Sequence, residues 1–214
     1  MHVLITRAGN ALTLDGVNTY IWNLASALSN IGFEVTVCGG CGNGMLEAQH
    51  YVKTYFGIDF KGNYMALRSN SQNVLFTWSV KGPSLIRELK PDLVHVNGVV
   101  PLLSNTPKIA TYHGMLNFDT VVSRHKLVLN TIYDRIMYRG FKRILAVSHK
   151  AKEEFLKYVW KAHNISVIPP MITWSWPKYT PDREMSLLHR GTYRRKNLRA
   201  TLLAFSMLGR KSQM

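Results

Sequence analysis

Short apolar runs separated by turn residues recur along most of this chain, and their spacing predicts alternating strands and helices. Residues 2–6, 34–38, 93–96, 109–112, 143–147 and 165–168 are rich in β-branched and aliphatic residues and too short for helices. Bounded by Gly, Pro or polar residues, they read as buried parallel strands, with a further short strand at 64–67. In residues 18–30 the side chains of Tyr20, Ile21, Leu24, Ala27 and Leu28 recur at helical spacing. Asn18 is placed to cap that helix and Gly32 to stop it. Further helices are expected at 45–56, 72–89 and 121–138, and from Ser148 to about 160. Gly82-Pro83 should break or kink the helix over 72–89. This order implies an α/β fold, a doubly wound parallel sheet whose right-handed crossovers put helices on both faces.

Two of the strands end alike, in a polar residue followed by glycine: Asn97-Gly98 and His113-Gly114. In an open parallel sheet ligands bind in the crevice beyond the carboxyl ends of the strands. There a glycine lets the backbone come close and a polar side chain can face the ligand, which makes Asn97, His113 and Gly114 candidate site residues. The simpler alternative is that the chain merely turns at these points. The first strand is followed by a loop ending in Asp15-Gly16-Val17 and then by a helix, whose free N–H groups suit a phosphate or another anion. Gly16 alone falls short of the GxGxxG dinucleotide fingerprint, which argues against a dehydrogenase.

The length, 214 residues, allows one full domain and part of another. The apolar fraction, 46%, is that of a folded chain. No apolar run has the length of a membrane-spanning helix and the N-terminus leads directly into a strand, so the expected location is cytoplasmic, with a peripheral place on the inner face of a membrane as an extension. Cys38 and Cys41 form a CxxC without a second ligand pair for zinc or the helix start of a redox pair, and read as ordinary thiols. The glycines at 39, 40, 42 and 44 look like a phosphate cradle but lack the Lys-Ser/Thr of a P-loop, so a flexible turn over 39–44 is the expectation.

The net charge is +15 and unevenly spread: residues 1–123 hold 8 Lys and Arg against 7 Asp and Glu, residues 124–214 hold 19 against 5. The second part thus favours anionic partners: phosphates, lipid head groups or nucleic acid. In the helix over 121–138, Arg135 lies with Arg139 and Lys142 on a face away from the apolar stripe, a face that suits anionic lipid or, more simply, solvent. Residues 1–172 form the expected first domain, and 173–184, with two prolines and two tryptophans, a linker. Residues 185–214 would supply one strand, a basic turn at 191–196 and one helix. Those cannot bury their own faces, so they begin a second sheet.

Four places make the chain resemble a family. They are Asp15-Gly-Val with its helix and the following Glu34-Val-Thr-Val; Lys90-Pro-Asp-Leu-Val-His-Val-Asn-Gly; Thr111-Tyr-His-Gly; and Leu145-Ala-Val-Ser-His-Lys-Ala-Lys-Glu-Glu-Phe followed by Val167-Ile-Pro. As an ordered set they resemble retaining glycosyltransferases of the GT-B class, the large family that includes sucrose synthases, bacterial glycogen synthases and phosphatidylinositol mannosyltransferases. The tail at 187–198 is similar to the first strand and helix of that family's donor-binding domain.

The resemblance implies two Rossmann-like domains facing a cleft, the first holding mainly the acceptor and the second mainly a nucleotide-diphosphate sugar. It implies that Gly16 lies near the donor phosphates and transferred sugar. It also implies that His113 stands beside the reacting sugar, where placement and electrostatics carry catalysis. Lys196 matches the lysine that pairs with the diphosphate. Thr192 stands where the family usually has arginine, so Arg194 or Arg195 would substitute. No metal and no cofactor besides the sugar-nucleotide substrate is implied. Asn97 replaces a common histidine and Pro169-Pro170 the frequent Pro-Asn-Gly. The donor domain's glutamate pair would lie beyond Met214, so the second Rossmann-like domain is expected to be incomplete and the chain inactive or weak alone, working with a separately encoded second half. The alternative from another class is a noncatalytic basic module for nucleic acid or an anionic membrane, which the Tyr, Trp and Arg near 174–178 and 193–196 would serve. No recognised nucleic-acid motif supports it, so nucleic acid is the less expected partner.

Overall fold

The structure, a computed structural model, describes residues 1–41, 45–68, 74–98, 100, 102, 104–114, 135–138, 140–159 and 164–170. Seven strands form one parallel sheet: β1 (His2–Asn10), β2 (Glu34–Cys41), β3 (Asn63–Ala66), β4 (Leu93–Asn97), β5 (Lys108–Tyr112), β6 (Arg143–Ala146) and β7 (Ile165–Val167). Their order is β3-β2-β1-β4-β5-β6-β7, and every adjacent pair is parallel. Among the described residues lie the helices α1 (Gly16–Asn30), α2 (Met45–Phe56), α3 (Val74–Leu89) and α4 (His149–Glu154), the last widening into a π-type turn over Phe155–Val159. This is the doubly wound Rossmann-like sheet that the alternation of runs implies.

Side chains of successive strand residues point to opposite faces, so each β1 residue chooses one of two cores. Val3 and Ile5 pack with Tyr20, Ile21 and Trp22 of α1 and with Ala48 and Val52 of α2. Leu4, between them, packs on the other face with Trp78, Leu85 and Ile86 of α3 and with Phe155 after α4. Two indoles then grip the tip of β1 and the turn after it: Trp22 Nε1 donates to the Ala11 carbonyl (2.8 Å) and Trp78 Nε1 to the Ala8 carbonyl (3.1 Å). The end of β1 is thereby pinned, by bonds that also satisfy buried indole N–H groups.

Several boundaries differ from the sequence expectation. β1 continues four residues past Thr6: it is paired with both β2 and β4 at Arg7 and, past a register shift, with β2 again at Asn10. β2 likewise runs to Cys41, which places Gly39, Gly40 and Cys41 in the strand and not in a turn; residues 42–44 lie outside the described residues. Gly40 has a packing reason to be glycine. A Cβ there would collide with the Ala8 carbonyl oxygen and Val74 Cγ2 and stand 2.8 Å from Trp78 Nε1. Gly40→Ala is therefore expected to cost about 2 kcal/mol through overpacking, read as a lower urea midpoint at unchanged slope.

α3 passes through Gly82-Pro83 as one helix. Proline removes one intrahelical bond, but Leu85 and Ile86 are buried beyond it, and a Cβ on Gly82 would stand only 2.6 Å from Leu102 Cδ2. Tertiary packing outweighs the local penalty here. Ser148 caps α4 as expected, accepting from the Ala151 N–H. Of the helix expected over 121–138 only the last turn is described, and residues 135–137 are helical. The linker and the basic tail fall outside the described residues.

Candidate functional site

The strand order reverses between β1 and β4: one side of the sheet continues to β2 and β3, the other to β5, β6 and β7. At such a switch point the connections leave in opposite directions and open a crevice at the carboxyl ends of the strands. Arg7 of β1 and Asn97 of β4 are register partners across this divide. Asn97 is the last residue of its strand and is fully buried. Gly98 follows at φ 81° and Gly114, after β5, at φ 97°, both in the left-handed region where a side chain is strained. The two strands thus end in tight turns that leave Asn97 and His113 side by side, with His113 Nε2 3.1 Å from Asn97 Oδ1.

Burial lowers the pKa of His113 to about 4, the Arg7 guanidinium pushes in the same direction, and the Asp15 carboxylate opposes them. The ring is therefore neutral at pH 7. With the Asn97 carbonyl facing Nε2, that nitrogen carries the proton and donates, which leaves Nδ1 with a lone pair to accept from a substrate hydroxyl. Asn97 Nδ2 is buried with no partner.

A second layer holds the ring. Tyr20 of α1 stands edge-on to it, centroids 5.2 Å apart. The Tyr20 hydroxyl shares a hydrogen bond of 3.1 Å with Thr111 Oγ1, which lies 2.7 Å from His95 Nε2. His95 is also lowered to about 4, by burial first and by the nearby His113 second. The chain Tyr20, Thr111, His95 ties α1 to β4 and β5 directly beneath His113.

Gly16 is the first residue of α1, and a Cβ there would meet nothing within 4 Å. The cap of this helix is Asp15 and not Asn18: Asp15 Oδ1 accepts from the Asn18 N–H at 2.8 Å. Asn18 turns inward, where its amide donates to the Asn10 and Thr13 carbonyls at 2.9 Å and ties the loop down. The start of α1 thus carries a carboxylate of its own. Gly16 and His113 do not come from adjacent strands, since β4 stands between β1 and β5. It is the Asp15 carboxylate, just before Gly16, whose charge reaches His113. Arg194, Arg195 and Lys196 lie outside the described residues.

Three further residues near the site are not singled out by the local sequence pattern. Arg7 follows the apolar run of β1 but precedes Ala8, so it lacks the polar-glycine pair that marks Asn97 and His113. In the sequence Tyr20 reads only as part of an apolar helix face. Glu154, at the end of α4, brings Oε2 within 3.8 Å of where a Cβ on Gly114 would stand, a proximity invisible in sequence because 40 residues separate the two. Among the described residues no three His, Cys, Asp or Glu side chains are grouped to hold a metal ion, and no helix is long and apolar enough to cross a membrane.

The fold is similar to that of several solved structures. A glycosyltransferase from Rickettsia africae ESF-5 is 21% identical at TM-score 0.53, over 78% of this chain and 42% of its own. A sucrose-phosphate synthase from Thermosynechococcus elongatus is 13% identical at TM-score 0.61, over 79% and 48%. A UDP-N-acetylglucosamine 2-epimerase from Rickettsia bellii is 14% identical at TM-score 0.50, over 78% and 43%. The matched part therefore covers less than half the length of each of these three structures, and at such identities the likeness concerns the fold. No curated protein matches the sequence. Residues 14–173, which include Asp15, Asn97, His113 and Glu154, match the sequence pattern of Glycosyltransferase Family 4, and the chain belongs to that family.

Proposed function

We propose that this chain supplies the acceptor-side half of a glycosyltransferase that moves a sugar from a nucleotide diphosphate to an acceptor hydroxyl with retention of configuration. The observation that carries the reading is the pairing of a neutral His113 with Asn97 at the tips of two strands beside the switch point, in a chain of this family. A neutral imidazole with a free Nδ1 suits a sugar hydroxyl, and its fixed position supplies orientation without any charge to neutralise. Glu154, near Gly114, adds an acceptor for a further hydroxyl.

In this reading the donor's nucleotide rests on a second Rossmann-like domain, with Arg194, Arg195 and Lys196 at its diphosphate, and the chain by itself turns over slowly. No metal takes part, so EDTA leaves the rate unchanged. The test is a transfer assay over a panel of nucleotide sugars and acceptors, run with the chain alone and with the donor-side domain of a related family member added. The expected result is slow turnover alone, a marked gain with the added domain, and a product whose anomeric configuration by NMR equals that of the donor. An inverted product would remove the retaining assignment, and no transfer in either arm would remove the enzymatic reading.

A further inference from the structure

We infer that Arg7, at the carboxyl end of β1, is an oxyanion subsite for the acceptor: it takes a phosphate or carboxylate that the acceptor carries near its receiving hydroxyl. The acceptor assignment rests on the sugar-transfer reading, whereas the anion site stands on the geometry of Arg7.

A guanidinium offers five N–H donors in a planar fork that matches an oxyanion in bidentate fashion. Among the described residues the partner of Arg7 is Asp15, with Nη2 3.4 Å from Oδ2, well beyond the 2.7–2.9 Å of a good charge-assisted bond. That carboxylate is already engaged. Its Oδ1 accepts from the Asn18 N–H at 2.8 Å, and its Oδ2 from the Thr13 hydroxyl at 2.9 Å and the Asn18 amide at 3.2 Å. Asp15 is a helix cap first and a counter-ion to Arg7 only loosely.

The remaining donors of Arg7 are open. Its Nε is buried without a partner, and so is Nδ2 of Asn97, the residue facing Arg7 across the β1–β4 ladder. Buried donors left unsatisfied are uncommon and costly, and here two lie on paired residues at the crevice where ligands bind. The guanidinium passes along Gly98, where a Cβ would stand 3.9 Å from Nη1. The side chain is 21% exposed, so its outer nitrogens are within reach of a ligand while the stem is held. An oxyanion there would fill the fork and offset the charge that Arg7 directs at His113.

The experiment follows the His113 ring signals by NMR while the full chain is titrated with glycerol 3-phosphate, glycerol or UDP. Glycerol 3-phosphate should shift the ring saturably and glycerol should not. Arg7→Gln should weaken the phosphate about tenfold or more, and Arg7→Lys, a point charge without the fork, by less. Asp15→Asn keeps the cap but removes the competing charge, so it should tighten binding. Folding of the Arg7 variants is checked by melting, where loss of an ion pair this long and partly exposed should cost under about 1 kcal/mol.

Equal phosphate affinity in Arg7→Gln would overturn the subsite, as would Asp15→Asn weakening the anion as much as Arg7→Gln does. Arg7-dependent binding of UDP without any binding of glycerol 3-phosphate would give the site to the donor and overturn the acceptor assignment. Anion binding retained in a chain that transfers no sugar under any condition would leave the subsite standing while the enzymatic reading falls.

Discussion

His113→Ala is expected to lower sugar transfer in the supplemented assay by about a hundredfold or more, the usual effect of removing one preorganised polar contact to the reacting group. On the proposed reading, in which the ring orients the sugar and the nucleotide supplies most of the binding, the loss should fall mainly on kcat. His113→Asn, which keeps a polar group of shorter reach, should recover part of it. The ring packs edge-on against Tyr20 and bonds Asn97, so each variant needs a melting curve beside its rate. A variant that folds and keeps more than half of the rate would show that His113 does not stand at the reacting sugar.

The second large effect is on stability and runs with pH. The unfolded chain protonates His95 near 6.5, whereas the folded protein, with the ring buried against Thr111, does so only near 4. Between these values the unfolded state binds more protons, so stability rises with pH and is lost on acidification, complete below about 4. The difference corresponds to about 3 kcal/mol for His95, of which about 2 kcal/mol is already gone at pH 5. His113, lowered likewise to about 4, adds a loss of the same sign in the same window. Urea midpoints measured at pH 7, 6 and 5 should fall steadily, and His95→Gln, which cannot titrate, should flatten part of that slope. A midpoint constant from pH 7 to 5 would mean that neither ring is buried as described.

The two effects share one structural cause. His95 and His113 come from neighbouring strands and lie beside the same Tyr20 ring, at 6.4 and 5.2 Å. Protonating either one places a charge next to the other. Both rings are neutral at pH 7, and on the proposed sugar-transfer reading activity should be flat from pH 8 to 6 as far as these groups are concerned, then fall toward 4 as His113 gains its proton.

Much of the sheet was legible because buried parallel strands are short continuous apolar runs, and β4 and β5 end within a residue of where those runs stop. The strand ends were legible for the same reason: an apolar run followed by a polar residue and glycine marks where the chain leaves the core. What local pattern missed is the length of β1 and β2. Gly39 and Gly40 look like a turn, yet pairing on both sides, and the close packing of Ala8, Val74 and Trp78 over Gly40, keep that segment in the strand. The cap of α1 lies three residues before Asn18, at Asp15; both residue types suit an N-cap, and only the inward bonds of Asn18 decide between them.

By itself the sequence determined the order of elements and the parallel sheet, and it pointed to Asn97, His113 and Gly114 as residues at strand tips, because burial imposes a period that one dimension can carry. Tertiary structure alone decided that β4 stands between β1 and β5, that Arg7 faces Asn97, that Tyr20 and the Asp15 carboxylate come near one imidazole, and that Glu154 approaches Gly114. Those contacts join residues far apart in the chain, and they arise from strand order and helix packing, which no local spacing encodes.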